Sequence, residues 1–461
     1  MPQMSPNRQL SSLLAEANWR GGDLARAVNT LGRSEGLTLR YDRTSVAHWL
    51  SGTRPRHPAP ALIALALSQR LERHVSAADA GLARHSSYAP VHGFDLSAAA
   101  AIRALSTLIR AEADPAGQAQ EPCGVYAPLV LPALNTVLCG WKSPAAHTKA
   151  PQTAAAGIEQ LEDMTQTFER LTRCYGGGHT HPLLALYLDQ KVLPLLRTRP
   201  KHPQLLSSAG QLVHLLGDVA SDIGAHARAQ RYYRLAYAFA RQASHRHQAA
   251  IALRALSSQA TRLQHHRDAH HLAQAALTVA GTERTGHLHA YLLSQAALTH
   301  AQRHETRQAL EALTAAEAAH DQPVSATGPF NIYPRPALDY QRGQTLALLK
   351  QHQDAQTAFE AAIRARPDDQ HRPLALTHAR AATHLINTGY LEAACDHWHG
   401  FLDHYPHLQC ASVYTEFTAL SCHLFPYRRN PQAATLLERA NSGLGSSKNS
   451  VSVDPFRDPK S

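Results

Sequence analysis

Residues 343–362 read GQTLALLKQHQDAQTAFEAA, and the spacing inside this stretch decides the fold. Gly343 stands twelve residues before Ala355, Phe359 four after it and Ala362 seven after it. The same register recurs from Gln211 to His407 around Ala229, Ala269, Ala309 and Ala394. Small residues precede these anchors by twelve (Gly217, Ser257, Ala297, Ala382), and Tyr233, Ala273, Leu313 and Trp398 follow by four. Seven residues after them stand Ala236, Ala276, Ala316 and Phe401. The anchors are 40, 40, 46 and 39 residues apart. A repeat of this period means stacked units that cannot bury their apolar faces alone. Two helices approach closely only where small residues meet, so the pattern predicts five helix pairs and an all-α chain.

The small–small–aromatic–small pattern resembles the tetratricopeptide repeat. The resemblance is strongest in the last two units, which close on Pro367 and Pro406 and include the turn Gly389-Tyr390-Leu391-Glu392-Ala393-Ala394. These units are longer than that family's 34 residues. The resemblance implies an α-solenoid in which the first helix of each pair lines a concave face. Carried over by register, that face draws on His214, Asp218, Arg254, Ser258, Tyr291, Ser294, Tyr340 and Gln344. This polar and aromatic set suits an extended peptide, a small polar ligand or a protein partner.

The bulk numbers fit this reading. Of 461 residues, 44% are hydrophobic and only 6% aromatic, which favours alanine-rich helix packing over sheet. A formal charge of +10 permits an anionic partner. Six cysteines (Cys123, Cys139, Cys174, Cys395, Cys410, Cys422) show no CxxC, so free thiols in a reducing cytosol are expected rather than disulfides or zinc. The longest apolar run, Val125–Cys139, is broken by Pro128 and Pro132 and is too short to span a bilayer.

Four short helices are predicted before residue 85. Leu10, Leu13, Leu14 and Ala17 form the first stripe, and Asp23 caps a second helix bearing Leu24, Ala25, Val28 and Leu31, which ends near Gly36. The third helix runs from about Thr44 to Leu50, capped by Asp42 or Thr44 and ended by Gly52. Val46, Trp49 and Leu50 face inward; Arg43, Thr44, Ser45, Ala47 and His48 face outward. A fourth helix buries Leu62, Leu65, Ala66 and Leu71. A short helix with small polar and basic residues outside suits a major-groove reader, and Arg54 and Arg56 on the next loop would reach phosphate. Residues 1–95 carry 11 Arg/Lys against 7 Asp/Glu.

Residues 40–55, RYDRTSVAHWLSGTRP, resemble the helix-turn-helix of actinobacterial (Streptomyces-type) transcriptional regulators related to the phage-repressor-like class. In that group a serine or threonine opens the recognition helix and Trp-Leu-x-Gly closes it. The run Cys174-Tyr175-Gly176-Gly177-Gly178 and the segment Tyr187–Leu196 resemble the same regulators. The resemblance implies a cytoplasmic homodimer that binds double-stranded DNA at a specific operator, senses a ligand in its repeat domain and controls antibiotic production or development. The rival is a tetratricopeptide scaffold without specific DNA binding.

The remaining stretches yield domain limits. Residues 1–85 form the DNA-binding domain and 86–156 a linker and docking segment. In the latter, a helix over Leu96–Ala113 precedes a polar stretch (Asp114–Gly124), an apolar one (Val125–Trp141) and a flexible joint (142–156). Residues 157–440 form the repeat domain and 441–461 a disordered tail. A helix from Gly157, with Ile158, Leu161, Met164, Phe168, Leu171 and Tyr175 inward, stops at Gly176-Gly177-Gly178. Thr180 or His181 opens the next helix, with Pro182 in its first turn and Leu184, Tyr187, Leu188, Val192 and Leu195 inward. The glycine triplet is not a phosphate loop: no Lys-Ser/Thr follows it and no strand precedes it. The insert Gln322–Pro336 is placed over an end of the groove. His265-His266 and His270-His271 read as solvated histidines lacking a third ligand. No metal site, cofactor or catalytic constellation is expected, and no enzymatic activity.

Overall fold

The computed structural model describes residues 6–34, 39–53, 55–56, 59–71, 75, 80–82, 96–113, 152–281, 286–322 and 333–446. The described residues are all-α, without strands. The chain divides into two compact units. The first is Met1–Asp163, Leu184–Ser221 and Ala225–Arg284; the second is Met164–Leu183, Asp222–Gly224 and Thr285–Ser461.

The first unit opens with four helices, α1 (Arg8–Glu16), α2 (Gly21–Ser34), α3 (Arg43–Leu50) and α4 (Ala59–Leu71). Their stripes meet in one core containing Leu10, Leu14, Leu24, Val28, Val46, Trp49, Leu62 and Leu67. Asp23 is not the cap of α2, which begins two residues earlier. It stands at the third helical position and accepts the Arg20 N–H at 2.9 Å. Next in the chain come α5 (Ala98–Ala113), α6 (Gln152–Tyr175) and α7 (Gly177–Tyr187), of which Met164–Leu183 is counted with the second unit. A π-helical turn (Leu188–Val192) leads into α8 (Leu193–Thr198), and α9 (Pro203–Asp222) and α10 (His226–Gln242) form the first pair. Helix α5 is tied to α8 by Arg197 to Ser106 at 2.8 Å and to α10 by the Tyr232 hydroxyl to Glu112 at 2.6 Å. The pair α11 (Arg246–Arg262) and α12 (His266–Ala280) completes the unit.

The second unit holds the pairs α13 (Gly286–Gln302) with α14 (Thr306–His320), α15 (Arg335–Leu348) with α16 (His352–Arg364), and α17 (His371–Thr388) with α18 (Leu391–His404). A further pair, α19 (Ala411–Leu424) and α20 (Pro431–Ser446), closes it and was not legible as a repeat. Phe417, Leu420, Leu424, Ala433 and Leu436 of this pair share a core with Trp398 and Phe401.

The register governs the packing. All five anchor alanines are fully buried. A Cβ on Gly217 would lie 2.7 Å from the Tyr233 ring, and one on Gly343 2.6 Å from the Phe359 ring. In the second pair, the Ser257 hydroxyl donates to the Ala269 carbonyl at 2.7 Å. A second regularity carries no residue-type signal. Five residues before each anchor the backbone is left-handed, at Gly224, Gln264, His304, Lys350 and Gly389 (φ 82°, 62°, 61°, 61° and 89°). The next residue in each case sends its N–H back five positions, from Ala225 to Ala220, His265 to Ala260, Glu305 to His300, Gln351 to Leu346 and Tyr390 to Leu385. This is the Schellman closure of the first helix, and it opens the second.

Several boundaries differ from the sequence reading. Helix α6 starts at Gln152, within the segment expected to be a joint, and its Tyr175 is exposed. Helix α7 starts at Gly177, so Pro182 lies inside it rather than in its first turn. The π turn adds a residue after Leu188, which rotates the stripe: Val192, Leu193 and Leu196 are buried and Leu195 is exposed. Helix α20 continues to Ser446, past the expected end at 440. Gly36, residues 114–151, 323–332 and 447–461 lie outside the described residues. Four described cysteines, Cys174, Cys395, Cys410 and Cys422, are free thiols.

Gly343→Ala should destabilise the chain by about 1–3 kcal/mol, because the Phe359 ring must move. Lys350→Gly should stabilise it by about 1 kcal/mol by removing a side chain from a left-handed position. Urea unfolding of the two variants checks both signs.

Candidate nucleic-acid interface and repeat-array surfaces

Helix α3 is short, and its orientation is fixed from three sides. Its cap is Asp42, whose carboxylate accepts the Ser45 N–H at 2.8 Å while the Asp42 N–H reaches the Ser45 hydroxyl at 3.3 Å. The Ser45 hydroxyl also donates to Asp42 at 2.8 Å. Ser45 N–H, Ser45 hydroxyl and the helix N-terminus together hold the Asp42 carboxyl below the usual range. Ser45, expected to face DNA, therefore serves first as half of a capping box. Just upstream, the Asn29 side chain of α2 clamps Tyr41, accepting its N–H at 2.9 Å and donating to its carbonyl at 2.7 Å. The Tyr41 ring meets buried Trp49 edge-on, with centroids 5.1 Å apart. At the far end the Leu50 carbonyl accepts the Asn7 N–H at 2.9 Å, and Gly52 turns the chain with φ 103°.

What α3 leaves outward is Arg43, Thr44, Ala47 and His48, all exposed, with Arg40 exposed ahead of it and Arg56 behind. Arg54 lies outside the described residues. Arg20 and Arg26, at the start of α2, are also exposed, and Arg26 pairs with Asp23. Sequence reading missed Asn29, because nothing local marks an amide that will clamp a residue twelve positions on.

The eight candidate groove residues fall four to each unit. In the first unit, His214 is buried beside Tyr233, whose hydroxyl donates to Asp218 at 2.8 Å. Burial pushes the His214 pKa down against the pull of Asp218. Arg254 and Ser258 are half-buried. In the second unit, Ser294 is fully buried between the Tyr291 carbonyl at 3.0 Å and the Tyr333 hydroxyl at 3.1 Å. Tyr291, Tyr340 and Gln344 are half-buried. His214 and Ser294 thus belong to the packing, because the register that places them on the first helix also turns them toward its partners. The other six remain accessible in part.

The glycine triplet resolves as a docking device. Gly176 has φ 81°, and a Cβ on Gly178 would lie 2.7 Å from Gln409. The Gly178 N–H donates to the Gln409 carbonyl at 2.7 Å, and the Gln409 N–H to Tyr175 at 3.1 Å. The N-terminus of α7 is filled by Asp222, which accepts the Gly177 N–H at 2.7 Å and pairs with Arg372 at 2.7 Å. The Cys410 thiol also donates to Asp222 at 2.9 Å, and burial pushes that thiol up to about 11.

A line of imidazoles, scattered in sequence, assembles in the fifth pair. His371 and His378 stand two turns apart on α17, as do His397 and His404 on α18. Nδ1 of His371 lies 3.1 Å from Nδ1 of His404, and Nδ1 of His378 3.2 Å from that of His397. His407 stacks on His371 at 4.1 Å between centroids. Gly400 makes room: a Cβ there would lie 2.4 Å from the His378 ring.

A family model described as the SP15 N-terminal domain matches residues 10–83. These limits coincide with the four-helix core that runs from Leu10 to Leu82. No curated protein and no solved structure matches the chain. Among the described residues no helix is long and apolar enough to cross a membrane.

Burial, with His397 and His404 beside it, pushes His378 down to about 4 despite the pull of Asp403. His371, His397 and His404 are also lowered, chiefly by burial. A lowered histidine pKa means that the unfolded chain binds the proton first. Stability is therefore held above about pH 6.5 and lost as the pH falls toward 4. His378 alone accounts for about 2 kcal/mol between pH 7 and pH 5. Thermal melting followed by circular dichroism should fall over that range, and less steeply in His378→Gln.

Proposed function

We propose that the chain is a sequence-specific DNA-binding transcriptional regulator whose helical-repeat array senses a ligand or partner. The observation that carries this reading is α3. It is a capped, eight-residue helix anchored by Trp49 and clamped through Asn29, yet it leaves Arg43, Thr44 and His48 outside. A helix held this way presents side chains without freedom to swivel, which base recognition needs. Arg43 is suited to a guanine edge, Thr44 and His48 to neighbouring bases, and Arg40, Arg56 and Arg20 to the backbone. The net positive charge of the chain supports the same partner. Ser45 supports the reading from behind, as the residue that fixes the start of the helix.

The array supplies the second half. Its accessible polar residues, Asp218, Arg254 and Ser258 in one unit and Tyr291, Tyr340 and Gln344 in the other, suit peptide or small-molecule contacts. A ligand bound there shifts DNA affinity only by its difference in affinity for the two states. Control of antibiotic production or development, and action as a homodimer, follow from the resemblance to actinobacterial regulators.

The test is gel-shift titration on a selected site. Arg43→Ala and His48→Ala should each weaken specific binding by about 1–3 kcal/mol with little change on nonspecific DNA. Arg56→Ala should weaken both alike and make the salt dependence shallower. Equal loss in all three variants on both DNAs would remove α3 as the reader.

A further inference from the structure

Two pairs of imidazoles face each other across the fifth helix pair, and they are not alike. In the inner pair the protons are placed by a neighbour. The Gln356 amide nitrogen donates to the Glu360 carboxylate at 3.0 Å and lies 3.0 Å from Nε2 of His397. An ionised carboxylate only accepts, so this nitrogen is a donor to both groups and Nε2 of His397 is bare. The His397 proton is then on Nδ1, and it fills the 3.2 Å contact with Nδ1 of His378 as an ordinary hydrogen bond.

The outer pair has no such neighbour. His371 is the first residue of α17 and His404 the last of α18, and their Nδ1 atoms stand 3.1 Å apart. Among the described residues no group hydrogen-bonds Nε2 of either ring. With the protons on Nε2, both Nδ1 lone pairs face the same gap. His407 stacks on His371 at 4.1 Å between centroids and 13° between planes, and His378 lies 6.0 Å from His404, so both rings are buttressed. Both are half-buried, which leaves the gap within reach of solvent.

The spacing fits two ligands of one ion. Nitrogens about 2.0–2.1 Å from a metal stand roughly 2.9 Å apart at a square-planar corner and roughly 3.3–3.4 Å apart in a tetrahedron. The observed 3.1 Å lies between the two. Imidazole suits zinc, nickel and copper, whereas magnesium and calcium take oxygen. Asp368 and Asp369, both exposed, precede His371 by three and two residues and favour a cation at this end of the pair.

We propose that Nδ1 of His371 and Nδ1 of His404 form a two-imidazole site for a divalent transition-metal ion, with water or a ligand oxygen at its other positions. An ion there joins the start of α17 to the end of α18 and locks the fifth pair. No short motif announces the site, because its ligands lie 33 residues apart in the chain. The proposal goes beyond the reading of the chain as a DNA-binding regulator and does not depend on it.

The experiment is thermal melting of the untagged full chain in EDTA, then with excess zinc, nickel, copper or magnesium chloride. Wild type should gain about 3 °C with at least one of the three transition ions and nothing with magnesium. His371→Gln and His404→Gln should each lose the gain, and the double variant should lose no more than either. His378→Gln and His407→Gln should keep it. A second readout needs no variant: diethylpyrocarbonate labelling mapped by mass spectrometry should show His371 and His404 protected by the effective ion. No gain in wild type, or an equal gain in His371→Gln and His404→Gln, would overturn the proposal, the latter meaning an adventitious ion only at other histidines. Labelling of both rings unchanged by the ion would overturn it as well. The assay contains no DNA, so its failure leaves the α3 reading standing, and loss of DNA binding in α3 variants leaves this one standing.

Discussion

The close approach of two helices over a residue too small to resist is the constraint on which the array depends. Gly217 lies under Tyr233, and Gly343 under Phe359. The fully buried anchor alanines hold the same place in every unit. Aromatics are few, and the large rings that are buried fit where the facing residue is small, as Phe359 does against Gly343. Elsewhere backbones are drawn near enough for short side chains to bury each other. That demand fixes residue size at regular intervals, and everything between the intervals is free to vary.

This explains what was legible. The helix pairs could be read because the packing tolerates only small residues at named positions, so the signal sits in residue type. The left-handed turns could not. Gln264, His304 and Lys350 occupy backbone conformations that glycine takes at Gly224 and Gly389, and the helix closure is made by backbone groups that any residue owns. The π turn at Leu188–Val192 was equally silent, and it misplaced Leu195. Long-range polar devices were also hidden. Asp222, Arg372, Cys410 and Gly177 meet only after folding, and so do the facing histidines of α17 and α18.

In the candidate sites the same division holds. The inward and outward faces of α3 were readable from Val46, Trp49 and the polar residues between them. The role of Ser45 changed, because a capping box depends on which residue is the true cap, and Asp42 rather than Thr44 holds that place. In the array, register alone placed His214 and Ser294 on the accessible face, whereas both are buried against tyrosines. Register names a helix face to within a turn and does not say how wide the buried stripe is.

The central claim is that α3 reads DNA, and one measurement bears on it directly: selection of fragments from a random duplex pool by the full chain, followed by footprinting of the best site at physiological salt. The account predicts a discrete footprint with two half-sites about one helical turn, roughly 34 Å, apart. Recovery of no common sequence, with binding that disappears as salt rises, would contradict it and turn attention to protein partners of the array.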